Sequence, residues 1–166
     1  MSQNKNNNTV WNTRIKKKTS NIFKKVGSSI KIDKRLYKED ILASASHTEM
    51  LYKQKIITIK IKDKILWGLK RIQNEIEKKN FKIDENLEDI HMNIENRIFE
   101  LIGNDAGYLH SARSRNDQVV TDLKLWLKKS TVEIDSLLLK LIKSLIKISE
   151  KTIFSIMPGF NHLNNA

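Results

Sequence analysis

The chain has 166 residues and no cysteine, which leaves room for one ordinary domain with a real core and excludes disulfides and thiol chemistry. Its net charge of +12 would ordinarily point to a nucleic acid or an anionic membrane surface. Lys, Ile and Asn, however, make up 64 of the residues, with 25 lysines to 6 arginines spread along the chain, so A+T-rich coding accounts for the basic balance and argues against a nucleic-acid partner.

In chain order, residues 1–28 carry an Asn-rich start and the clusters Lys16-Lys17-Lys18 and Lys24-Lys25 without sustained periodicity. They are expected to form a flexible arm or to wrap a partner. No apolar stretch of a secretory signal stands in Met1 to Val10, and the richest apolar run, Leu137 to Ile148, is broken by Lys140, Lys143, Ser144 and Lys147. It falls short of the roughly 20 apolar residues a bilayer requires, so the expected location is the cytoplasm. From Asp33 to about Gln54, Leu36, Ile41, Ala45 and Leu51 at helical spacing predict a first helix. Ile61, Ile65, Leu69, Ile72 and Ile76 form the stripe of a second, over Ile61 to Lys79. A third is expected from Leu87 or Asp89 to Ile102, with Ile90, Ile94, Ile98 and Leu101 on one face and Gly103 just past its end.

The dominant element is predicted from Gln118 to Phe154, a stretch without proline or glycine, about 55 Å long at 1.5 Å per residue. Val120, Leu123, Leu127, Ile134, Leu137, Leu138, Leu141, Leu145 and Ile148 form its apolar seam. The preceding hundred or so residues are too few to cover that seam, so it calls for further helices, from more chain or from other subunits. The alternative is a break near Ser130-Thr131 and a fold back.

Just ahead of this helix, His110-Ser-Ala-Arg-Ser-Arg-Asn-Asp-Gln-Val-Val-Thr121 concentrates a histidine, two arginines, hydroxyls, an amide and a carboxylate. The guanidinium forks of Arg113 and Arg115 match a carboxylate in bidentate fashion, and Asn116 or Asp117 could cap the helix whose positive end faces the guest, so the expected guest is an anion. The competing reading makes Ser114 to Asp117 cap and turn residues and the arginines solvated. After the helix, Met157-Pro-Gly-Phe-Asn-His-Leu163 makes a turn in which His162 is either a proton-transfer group or a solvated surface residue.

Taken together, Ser28-Ser-Ile30, Asp33-Lys-Arg-Leu-Tyr-Lys-Glu-Asp40, Leu87-Glu-Asp-Ile-His-Met-Asn-Ile-Glu95, the block from Leu109 to Asp122 and Met157 to Leu163 resemble the argininosuccinate lyases. The likeness runs from about Trp11 to Ala166, and Ser-Arg-Asn-Asp-Gln separates this family from fumarases, aspartases and adenylosuccinate lyases. It implies an all-α fold: a helical lyase domain over 29–117 and the start of a long-helix bundle over 118–166. It also implies cytoplasmic homotetramers, and reversible cleavage of argininosuccinate to arginine and fumarate by β-elimination, a step of arginine biosynthesis, with no metal or organic cofactor.

By the same resemblance, Ser29 matches an early substrate-binding serine, Asp33 and Asp89 match acidic positions suited to the substrate's cationic end, and Arg115 and Asn116 match substrate-contacting positions. His91 is expected to order Asp89 or its loop, and His162 matches the catalytic histidine, as base or as acid partner. Two departures stand out. Asn161 replaces the family's substrate-binding threonine, with an amide for a hydroxyl. Trp11-Asn-Thr-Arg-Ile15 replaces Trp-Gly-Gly-Arg-Phe, without either glycine. The family continues for about 300 further residues, including the mobile catalytic serine loop. The chain is therefore expected to be inactive alone, as a truncated product or one half of a split enzyme that a C-terminal half would complement. The alternative is a non-catalytic remnant, or a basic binding or structural protein contacting RNA or another polyanion.

Overall fold

A computed structural model describes residue 22 and the segments 26–156 and 159–165. The arm expected over 1–28, with the Trp11 motif, therefore lies almost wholly outside the described residues, as do Met157 and Pro158. The fold is all-α, as the sequence predicts. Five α-helices stand between residues 30 and 152: α1 (Ile30–Asp33), α2 (Tyr37–Lys53), α3 (Ile59–Glu77), α4 (Ile90–Ile102) and α5 (Arg115–Thr152). Two 3₁₀ turns, Lys34–Leu36 and Gly103–His110, link α1 to α2 and follow α4. The only strand pairing among the described residues is a two-residue antiparallel ladder, β1 (Phe160–Asn161) with β2 (Asn164–Asn165).

The chain divides into two units, residues 1–126 and 127–166. In the first, the predicted stripes become the core. Ile65, Leu69 and Ile72 of α3 close against Ile90, Ile94 and Ile98 of α4, with Ile30, Ile41 and Leu109 completing the cluster and Ile61, Ile76 and Leu101 half-buried at its edge. Each of these isoleucines and leucines gains roughly 1.5–3 kcal/mol on full burial, which is what makes the stripe decisive for helix placement. The caps set the boundaries. Thr58 caps α3 through its hydroxyl, and Asp89 caps α4, its Oδ1 accepting from Met92 N at 2.6 Å. Gly103 takes a positive φ of 69° after α4, as the C′ position asks.

Three expectations need correction. The first helix, predicted from Asp33 to about Gln54, is α2 from Tyr37 to Lys53, preceded by the Lys34–Leu36 turn and the short α1, with Ile30 and Leu36 both buried. α5 begins at Arg115, three residues earlier than predicted, so Asn116 and Asp117 lie within its first turn. The cap is instead Ser114: its hydroxyl accepts from Asn116 N at 3.2 Å and its carbonyl from Gln118 N at 3.1 Å. In addition, the start of α5, itself part of the first unit, buries Gln118 and Asp122, while Val120 and Leu123 of the predicted seam are exposed.

The second unit begins within α5. The helix continues unbroken through Ser130-Thr131, where the Thr131 hydroxyl donates to Leu127 O at 2.9 Å within the helix. Leu127, Ile134, Leu137, Leu138, Leu141, Leu145 and Ile148 are each roughly half exposed, from 48 to 59%. The apolar seam is thus present and half exposed among the described residues. Within the described residues no helix is long and apolar enough to cross a membrane.

Candidate functional site

Ser29, Asp33, Asp89 and Arg115, named from four separate stretches of sequence, converge at the N-terminus of α4. The Ser29 hydroxyl donates to Asp33 Oδ2 at 2.6 Å. Asp33 Oδ1 accepts from Ile90 N at 3.2 Å, so this carboxylate adds to the cap that Asp89 makes at the same helix end. The N–H groups of Ser29 and Ile30 both donate to Glu88 O, at 2.8 and 3.2 Å, fastening the start of α1 to the loop before α4. Burial pushes the Asp33 carboxyl above its ordinary value, against the pull of the Ser29 hydroxyl and the Ile90 N–H.

Arg115 reaches the same place from the first residue of α5. Its Nε lies 3.8 Å from Asp89 Oδ2, its Nη2 donates to Glu95 Oε2 at 2.8 Å and its Nη1 to Gln118 Oε1 at 2.6 Å. The fork that the sequence offers to an anion is here held by acidic side chains of α4 and its cap. Glu95 also contacts His110 Nδ1 through Oε1 at 3.3 Å. Arg113 points elsewhere, donating from Nη1 to Ser44 Oγ of α2 at 2.9 Å. Asn116 stands exposed beside Arg115.

Beneath this group lies a fully buried charged triad. His91 Nδ1 is 3.1 Å from Asp40 Oδ1 and 3.3 Å from Asp122 Oδ2, with all three side chains at 1% exposure or less. Among the described residues, Asp40 Oδ2, both ring nitrogens and both Asp122 oxygens have no hydrogen-bond partner, so what ties His91 to the two carboxyls is the Coulomb attraction between imidazolium and carboxylate. Gln118 Nε2 donates to Asp40 Oδ1 at 2.5 Å. Burial alone would raise Asp40, but His91 beside it and the Gln118 donor hold its carboxyl below the ordinary range. Burial likewise opposes the charge on His91, yet Asp40, Asp89 and Asp122 together hold its pKa above the usual imidazole value. Burial and the adjacent Asp40 push Asp122 up to about 7.

These three residues are the one histidine and carboxylate grouping among the described residues that brings its potential ligand atoms within 4.8 Å of one another. With one imidazole nitrogen addressed by both carboxylates at N–H···O distances, the arrangement has the form of a buried ion triad. His91, expected to order Asp89 or its loop, contacts Asp40 and Asp122 and feels Asp89 through its charge. Sequence reasoning missed Asp40, Glu95, Gln118 and Asp122. Their signal was faint: Asp40, Ser44 and Thr48 recur every fourth residue as a polar buried stripe of α2, as do Gln118 and Asp122 on α5.

His162 and Asn161 belong to the second unit, where they lie in a tight turn. Asn161 pairs with Asn164, and His162 between them is exposed and takes a left-handed φ of 56°. A cavity of about 420 Å³ in the first unit, lined by residues including Glu75, Phe81, Asp84, Asn93 and Arg97, includes none of the candidate site residues named from sequence.

A family model described as "Lyase" matches residues 13–166. Among curated proteins, the argininosuccinate lyase of Pelagibacter ubique (strain HTCC1062) is 57% identical over 166 residues, all of this chain and 36% of that protein. The argininosuccinate lyase of Ehrlichia chaffeensis (strain ATCC CRL-10679 / Arkansas) is 48% identical over 159 residues, 96% of this chain and 34% of its own length. Argininosuccinate lyase 1 of Mesorhizobium japonicum (strain LMG 29417 / CECT 9101 / MAFF 303099) is 42% identical over 166 residues and 36% of its length. The chain thus spans about a third of the curated relatives it matches. With an all-α fold and a match to the family model over all but its first twelve residues, the chain belongs to the lyase family.

Proposed function

We propose that this chain forms part of an argininosuccinate lyase, cleaving argininosuccinate to arginine and fumarate. The observation that carries the reading is the convergence of Ser29, Asp33, Asp89 and Arg115 at one helix end in a chain 57% identical along its whole length to a protein of that name. The substrate carries a guanidinium and carboxylates, and this helix end offers both partners: acidic side chains for the cation, and Arg115 with Asn116 for an anion. Substrate carboxylate would have to compete with Glu95 and Asp89 for the guanidinium of Arg115. In the β-elimination, a proton leaves the carbon beside a carboxylate, the C–N bond to the guanidino group breaks, and the double bond of fumarate forms. His162 serves one of the two proton transfers, and Asn161 hydrogen-bonds substrate through its amide in place of a hydroxyl.

The domain division into a helical lyase domain over 29–117 and the start of a bundle over 118–166 belongs to this reading, as do a cytoplasmic location, a place in arginine biosynthesis, a homotetramer and a reaction without metal or organic cofactor. The exposed seam of α5 supports the assembly, since an apolar strip of that length marks an interaction surface. A basic protein contacting RNA is not favoured, because the similar proteins named above are argininosuccinate lyases.

A graft tests the proposal. Placed in the Pelagibacter relative in exchange for the segment it matches, the chain should support fumarate release from argininosuccinate, and His162→Asn in the graft should abolish it. A folded, assembled graft that releases no fumarate would overturn the reading.

A further inference from the structure

Gln118 stands, at 1% exposure, between two groups with opposite needs. Asp40 presents a carboxylate and requires a donor, which Gln118 Nε2 supplies at 2.5 Å. Arg115 presents guanidinium N–H groups and requires an acceptor, which Gln118 Oε1 supplies at 2.6 Å. An amide answers both with one planar, uncharged group. A carboxylate in its place would face Asp40 with like charge, an aliphatic side chain would answer neither, and asparagine is one methylene too short for the same span. Asp40 is itself held by the His91 imidazole, whose Nδ1 Asp122 also approaches, so the amide is anchored to a fully buried charged group.

We propose that Gln118 is a positioning residue, which ties the guanidinium of Arg115 to the buried Asp40–His91–Asp122 group and so sets the plane in which Arg115 meets a carboxylate substrate. The substrate clause rests on the lyase reading above; the tie itself rests on the geometry. Three contacts then define the guanidinium: Gln118 on Nη1, Glu95 on Nη2 and Asp89 near Nε. Only the Gln118 contact comes from a fully buried side chain without charge, so a substrate carboxylate that displaces Glu95 or Asp89 leaves it in place as a pivot.

The test reads Arg115 directly by NMR on the isotopically labelled full chain, through hydrogen exchange and Nη rotation of its side-chain N–H signals. Replacing a buried, charge-assisted contact, Gln118→Leu should speed Arg115 Nη exchange by about tenfold or more. Gln118→Glu should disturb it as well, by setting two carboxylates head to head. Combining Gln118→Glu with Asp40→Asn reverses donor and acceptor while preserving the tie, since the new amide at position 40 donates to the new carboxylate at position 118, which accepts from Arg115. That pair should restore slow exchange. Unchanged exchange in Gln118→Leu, or a double variant no slower than Gln118→Glu alone, would overturn the proposal. Should Gln118→Leu lose its fold, the double variant and its single parent decide. These signals report on the free protein, so a failed graft assay would count against the lyase reading and leave this result standing, while fast exchange in the double variant would do the reverse.

Discussion

Asp122 is a fully buried carboxyl whose ionisation has a clear consequence for stability. It sits with both oxygens unpartnered beside Asp40, so its pKa rises to about 7, while His91 is raised above its usual value and Asp40 lowered. The charged groups facing the triad are Asp33 of α1, Asp89 at the start of α4 and the guanidinium of Arg113. For Asp122 and His91 the folded pKa exceeds the unfolded one, so the folded state binds more protons, and stability falls as pH rises through the carboxylate's shifted range and on above the usual imidazole value. Asp40 has the opposite sign, but its contribution is lost only below the ordinary carboxylate range. The melting temperature should therefore be several degrees higher at about pH 5 than at about pH 8, and Asp122→Asn should flatten that slope. Thermal scans across pH check this; a wild-type chain more stable at the alkaline end would contradict the charge assignment of the triad.

At the scale of elements, what could be read from sequence depended on whether the buried side of a helix was apolar. α3 and α4 were legible because Ile65, Leu69 and Ile72 meet Ile90, Ile94 and Ile98, and an isoleucine stripe has one physical reading. α2 and the start of α5 were less so. Their buried sides carry Asp40, Ser44, Thr48, Gln118 and Asp122, residue types that a pattern argument assigns to solvent. The candidate site divided likewise: Ser29, Asp33, Asp89 and Arg115 were found by motif, whereas Glu95, Gln118 and the acids around His91 needed coordinates. Two variants probe these helices. Gly68 of α3 is buried where an added Cβ would meet Ile102 and Ile98 at 3.8 to 4.0 Å, ordinary contact, so Gly68→Ala should stabilise the chain by about 0.5–1 kcal/mol in denaturant melts. Asp89→Ala removes the α4 cap and should cost about 1 kcal/mol, whereas Asp89→Ser keeps a capping oxygen and should lose far less. In the graft both should weaken substrate binding, separating the carboxylate's structural part from its part in the site.

For the molecule as a whole, the dominant fact is a 38-residue helix whose second half keeps a continuous apolar strip half exposed. Leu137, Leu138, Leu141, Leu145 and Ile148 lie at spacings of one, three and four residues, so they share a broad face, and Leu139, Ile142 and Ile146 extend it around the helix. Two apolar flanks on one helix suit contact with more than one neighbouring helix, the arrangement of a bundle interior. Burying each leucine is worth roughly 1.5–3 kcal/mol, so five or six of them outweigh the cost of bringing two chains together. Purified in isolation, the chain should therefore associate in a concentration-dependent way in sedimentation. Leu138→Lys with Leu145→Lys, one helical face apart from the buried Gln118 and Asp122, should weaken that association by tenfold or more, about 1.4 kcal/mol per decade, without lowering the melting temperature of the first unit. A wild-type chain that stays monomeric at high concentration would show that the strip is not what holds copies together, and would remove the support that α5 lends to an assembled lyase.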